Sequence, residues 1–198
     1  MIVVDIESSG TDFGKHSIVS IGAVDLLKPH RQFYDECRIW EGSSIMKGAL
    51  EVNGFTEESL RDENKKTEGE IVKAFLAWAD DSENYMVAGQ NPSFDLLFIQ
   101  SASYRNKINF FLPYRTLDLH SVCFGHMLSR GISPPVLKRK SNLESDGIMD
   151  YVGIPKEPRP HIALNGARYE AEAFSRLLYD KKLFEEFFEY DIPWLNIS

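Results

Sequence analysis

The sequence has only two cysteines, Cys37 and Cys123, far apart along 198 residues. That excludes a disulfide framework, which needs several paired thiols, and it excludes a zinc-knuckle pattern. No run of eighteen apolar residues occurs, and the opening MIVVDIE passes directly into strand-like sequence without a basic leader or a long apolar segment. Neither export nor membrane insertion is expected, and a reducing cytoplasm is the predicted location. Internal repeats, heptads and low-complexity linkers are lacking as well, so one domain spanning 1–198 is predicted. Nor is there a basic excess: 22 Lys and Arg stand against 30 Asp and Glu, a net charge of −8. A broad basic face gripping long duplexes is thereby disfavoured, because such binding draws on phosphate neutralisation. A short single-stranded end, with divalent cations supplying local positive charge, is compatible with the acidic balance.

What is present is an ordinary globular composition, 43% hydrophobic, with aromatics from Phe13 to Trp194. IVVDIE and SIVSIGAVDL, joined by SSGTDFGKH, read as a hairpin, and RQFYDECRIW as a third strand of an antiparallel meander. The charged stretch 59–66 reads as solvated helix surface or loop. In EGEIVKAFLAWADD the spacing of Ile71, Phe75, Leu76 and Trp78 predicts a helix, followed by a short strand in YMVAG. A second helix is predicted in SFDLLFIQSASYRN, with Phe94, Leu97 and Phe98 on one side and Asp95 in its first turn, where the helix dipole favours an acid. YRTLDLHSVCF reads as strand into helix, and GISPPVLKRKSN as an irregular loop. A last helix is predicted in NGARYEAEAFSRLLYD, with Asn165 as N-cap and Ala167, Ala171, Phe174 and Leu178 as its buried stripe. The class is α/β with sheet first.

Three places carry chemistry. Asp5 and Glu7, two apart in a strand, project from one face. Within a sheet such a pair repels itself and loses hydration, which a divalent cation would offset; a solvated strand edge would look the same. The small residues SSG that follow could approach a phosphate. Asn91, Phe94 and Asp95 in GQNPSFD sit at a strand-to-helix junction, where side chains converge on clefts. His161 lies just ahead of the last helix, and its ordinary pKa of about 6.5 suits proton transfer.

In order, DIESSGTD, NPSFD and HIAL resemble the three motifs of the DnaQ-like (DEDDh) 3′-to-5′ exonuclease superfamily, of the ribonuclease T and DNA polymerase III proofreading type. VNGFTEESL and SNLESDGIMDYVGIP resemble the connecting segments, so the likeness spans nearly the whole chain. It implies an RNase H-like fold: a central five-stranded mixed sheet, its first three strands antiparallel, flanked by helices. It also implies two divalent ions, Mg²⁺ or Mn²⁺, with Asp5 bridging them, Glu7 on the nucleophile-side ion and Asp95 serving the other through water. His161 would deprotonate the attacking water. Ser8, Gly10, Asn53, Asn91 and Phe94 would contact the terminal nucleotide, and the implied partner is a single-stranded DNA or RNA 3′ end. A homodimer is left open, as is a polymerase partner.

One position departs from the family pattern. Five residues after the histidine, where an Asp completes the nucleophile-side ion site, stands Gly166. Impaired catalysis is expected, the alternative being a catalytically degenerate end-binding protein on the same fold. Asn165 offers only a neutral oxygen, and Glu170, one turn further on, is expected to need a backbone shift to substitute.

Overall fold

The computed structural model describes residues 1–195. Its centre is a five-stranded sheet. Strand β1 (Ile2–Ser8) pairs antiparallel with β2 (Ile18–Asp25), and β2 pairs antiparallel with β3 (Gln32–Glu36). On the other side β1 runs parallel to β4 (Val87–Gly89), which runs parallel to β5 (Thr116–Asp118), giving the order β3-β2-β1-β4-β5. The fold is RNase H-like, with the first three strands antiparallel as expected.

Every residue of β2 is buried because both faces of the sheet are covered. Ile2, Val4 and Ile6 face one core, shared with α3 (Glu68–Asp80) and α4 (Pro92–Arg105). Met1, Val3 and Val24 face a second core, shared with α5 (Leu119–Ser129), α6 (Ser145–Val152) and α7 (Ala163–Tyr179). The two-residue alternation therefore carries Asp5 and Glu7 onto the α7 side. Gly22, which pairs with Asp5, admits α7 closely: a Cβ there would fall 2.1 Å from the Ala163 carbonyl carbon. The amino end of α7 thus presses onto the sheet beside Asp5.

Several elements differ from the sequence reading. α1 (Lys47–Asn53) and α6 were not anticipated as helices; both are short and each includes a glycine. α1 closes on Gly54 in the left-handed region, φ 74°, and α2 (Glu57–Leu60) follows with a capping box at Thr56. The supposed loop 131–142 contains a hairpin, β6 (Val136–Leu137) with β7 (Lys140–Ser141), turned through Lys138 and Arg139, both at positive φ. Leu97 and Leu178 point outward at 41% and 40% exposure, and α4 instead buries Leu96, Phe98 and Ile99. The last helix starts earlier than expected, with Ile162 as N-cap and Asn165 inside it. Among the described residues no helix is long and apolar enough to cross a membrane.

Candidate active site

The parallel strands β1 and β4 point their carboxyl ends toward one edge of the sheet, where α/β folds place their ligands. Asp5 and Glu7 arrive there from β1. The chain leaves β4 through Gln90 and Asn91, and Asn91 takes a left-handed conformation, φ 56° and ψ 52°, that turns the backbone into α4. Its amide donates to Asp118 Oδ1 at 3.1 Å. Asp95, in the first turn of α4, is 4% exposed and accepts from the Ile6 amide at 3.0 Å, which ties motif two to motif one. His161 comes from the loop before α7, anchored by its amide donating to Val52 O at 3.0 Å.

Asp5, Glu7, His161, Gly166 and Glu170 line one cavity of about 260 Å³, together with Glu157 and Tyr169. Asp95 lies behind it and joins electrostatically. Burial, then the neighbouring Glu170, holds the Asp5 carboxyl well above the ordinary carboxylate range. Burial, then Glu157, pushes Glu7 up to about 7. Asp95 rises to about 8 through burial, partly offset by the Ile6 amide. Burial likewise raises Glu157 to about 7. Glu170 is driven well upward by burial and then by Asp95. His161 moves the other way: burial and then Arg159 lower its pKa, leaving a neutral imidazole at pH 7 that can accept a proton. Its Nδ1 lies 3.8 Å from Glu157 Oε2.

None of the five expected substrate contacts lines this cleft. Ser8, at the end of β1, donates to Gly10 O at 2.6 Å, and its own carbonyl accepts from Asn53 Nδ2 at 3.1 Å. Gly10 packs against the His16 ring, where a Cβ would fall 2.4 Å away. Phe94 packs on Phe98 with ring centroids 4.8 Å apart, and Asn91 is exposed at the head of α4. Sequence reasoning passed over Glu157 entirely. Its position four residues before His161 is the signal that was available, but the intervening loop gives no periodicity from which to read convergence. Glu170 also lines the Asp5 cavity with the backbone as it stands.

Among the described residues, no three acidic, histidine or cysteine side chains form a ready coordination shell. The donors nevertheless fit a hard divalent cation in chemistry. They are carboxylate oxygens, they repel one another, and Glu170 Oε2 and Glu157 Oε1 are buried without a hydrogen-bond partner. A cation would neutralise that repulsion and draw the ring of acids together.

No family model matches the chain. It is 31% identical over 192 residues to the 3′-5′ DNA exonuclease Cap18 of Escherichia coli, covering 92% of this chain and 95% of Cap18. It is 27% identical over 180 residues to the PolC-type DNA polymerase III of Thermotoga maritima, covering 89% of this chain but only 12% of the polymerase. In fold it superposes on E. coli exonuclease I in complex with an oligonucleotide, with a TM-score of 0.71 and 15% identity, over 91% of this chain and 40% of that one. The sequence likenesses join one superfamily without selecting a subtype within it, and the likeness to exonuclease I is one of fold. With its motif order, sheet topology and near-full-length match to Cap18, the chain belongs to the DnaQ-like (DEDDh) exonuclease superfamily.

Proposed function

We propose that this protein captures 3′ ends of single-stranded nucleic acid in the Asp5–His161 cleft, on a nuclease scaffold whose hydrolytic chemistry is degenerate. The observation that carries this reading is Gly166. It stands at the wall of the cleft, next to Asp5, where the DEDDh pattern that the sequence resembles calls for a carboxylate. The remaining acids suffice to hold a cation against a terminal phosphate, and the cation would bring the Lewis-acid charge that the net −8 chain lacks. With fewer carboxylates to align a water, productive attack suffers more than binding does. Asp5 and Glu7 would hold cations and Asp95 would orient them. His161 would stand as the base, and Ser8, Gly10, Asn53, Asn91 and Phe94 would frame the terminal nucleotide. Lys138, Arg139 and Lys140, on the β6–β7 hairpin, would steer the strand inward.

A second reading is an impaired but active 3′-to-5′ exonuclease using two Mg²⁺ or Mn²⁺ ions and releasing nucleoside monophosphates. The match to Cap18 and the neutral His161 favour it. The discriminating experiment follows fluorescence anisotropy and mononucleotide release in parallel, on single-stranded DNA and RNA with free or blocked 3′ ends, in Mg²⁺ or Mn²⁺. End-dependent binding that Asp5→Ala abolishes, with little release, is the expected result. Multiple-turnover release that Asp5→Ala abolishes would install the second reading, and binding indifferent to the 3′ end would overturn both.

A further inference from the structure

Glu170 is anomalous where it sits. Its helix meets the sheet through Ala163, Ala167, Ala171 and Phe174, all fully buried, and a leucine would suit that face better than an acid. Glu170 is itself 7% exposed, and its Oε2 has no hydrogen-bond partner. The nearby side-chain charges that act on it come from Asp95, Glu157 and Asp118, acids without exception. A buried carboxylate with only like charges around it is costly and calls for a positive charge from outside the chain.

The geometry around Gly166 points to what that charge does. Gly166 and Glu170 lie one helical turn apart on the face of α7 toward the cavity, and both line it. A Cβ at position 166 would fall 2.2 Å from Asp5 Oδ2 and 2.9 Å from Asp5 Cγ, so the Asp5 carboxylate leans into the room a side chain there would take. Glu170 Oε2 is 3.3 Å from where a Cβ on Gly89 would be, and the same Cβ would meet Val4 O at 2.9 Å. Glycine at position 89 thus leaves Glu170 its place above β1 and β4.

We infer that Glu170 replaces the carboxylate missing at position 166, forming with Asp5 a divalent-cation site moved one helical turn along α7, so that acids at 166 and 170 are alternatives rather than partners. The inference rests on the end-binding reading in one respect: the relocated cation is the one that meets the terminal phosphate. It also accounts for a buried acid beside the apolar residues through which α7 meets the sheet. A single Gly166→Asp change does not restore the family-type site, because it forces Asp5 aside and adds one more negative charge to a crowded ring.

The test is Mn²⁺ binding to the full chain, read by electron paramagnetic resonance and calorimetry, in wild type, Glu170→Gln, Gly166→Asp and the double variant. Glu170→Gln should weaken Mn²⁺ binding about tenfold or more. Gly166→Asp alone should bind no more tightly than wild type, and Gly166→Asp/Glu170→Gln should recover what Glu170→Gln lost. Melting curves in EDTA control for folding, since removing a repelled buried acid should raise the melting temperature of Glu170→Gln. Wild-type-like Mn²⁺ binding by Glu170→Gln overturns the inference, as does a wild type that binds no Mn²⁺ or a Gly166→Asp variant that binds more tightly with Glu170 still in place. Anisotropy with a 3′-hydroxyl oligonucleotide separates the two claims. Loss of end binding with intact Glu170-dependent Mn²⁺ binding removes the function and leaves the site; end binding with Mn²⁺ affinity indifferent to Glu170 does the reverse.

Discussion

Glu170 and Glu172 are buried two residues apart on the same helix, and their surroundings are opposite. Glu172 Oε1 accepts from Arg176 Nε at 2.6 Å, and its Oε2 accepts from the Leu183 and Phe184 amides at 2.7 and 3.0 Å. Arg176 in turn donates to the carbonyls of Val152, Phe187, Tyr190 and Asp191, pinning the chain that follows α7 against α6. Every oxygen and nitrogen in that pair has a partner inside the protein. Glu170 faces acids and keeps one oxygen open. Burial alone therefore says nothing about role. A buried charge saturated from within is structural, whereas one left unsatisfied toward a cavity is available to a ligand.

The largest effect should come from breaking the saturated pair. Arg176→Met leaves Glu172 buried and uncompensated, and denaturant titration should show a loss of about 3–5 kcal/mol. A loss below about 1 kcal/mol would mean that the pair is not what holds the C-terminal segment. Opposite in sign and smaller, Glu170→Gln in EDTA should gain about 1–3 kcal/mol by removing an unsatisfied buried acid. With saturating Mn²⁺ the order should invert, because the wild type gains linkage energy that the variant cannot. If both variants lose stability in EDTA, the contrast between the two glutamates fails.

The subtlest expectation concerns pH. In EDTA the folded protein keeps protons on Glu7 and Glu157 up to about 7 and on Asp95 up to about 8. The unfolded chain releases the same protons near pH 4. More protons are bound in the folded state across that window, so these groups make stability fall as pH rises from about 4 to about 8. Asp95→Asn should flatten that slope by one proton's share, and an unchanged slope would refute the raised carboxyl at position 95. Melting temperatures at half-unit pH steps would show either behaviour.

Which parts of this were legible in the sequence follows from the range of the interactions involved. The alternation of IVVDIE put Asp5 and Glu7 on one face, because a strand's period is local. Ile71, Phe75 and Leu76 marked α3, and all three are buried. Turn geometry was harder: Lys138 and Arg139 hold positive φ without glycine, so the hairpin they close resembled a loop. The outward turn of Leu97 was also hidden, since α4 carries apolar residues on more than one side and only packing against the sheet selects among them.

The sequence by itself determined the order of the motifs, the α/β class, the pairing of Asp5 with Glu7 and the missing carboxylate at Gly166. Each is a matter of residue identity and short-range spacing. Tertiary structure alone decided that Glu157 and Glu170 join the same cavity, that Asp95 reaches the β1 backbone, and that the Asp5 carboxylate occupies the room beside Gly166. Those depend on how closely α7 lies on the sheet, and that distance is set by glycine and alanine contacts between segments more than a hundred residues apart.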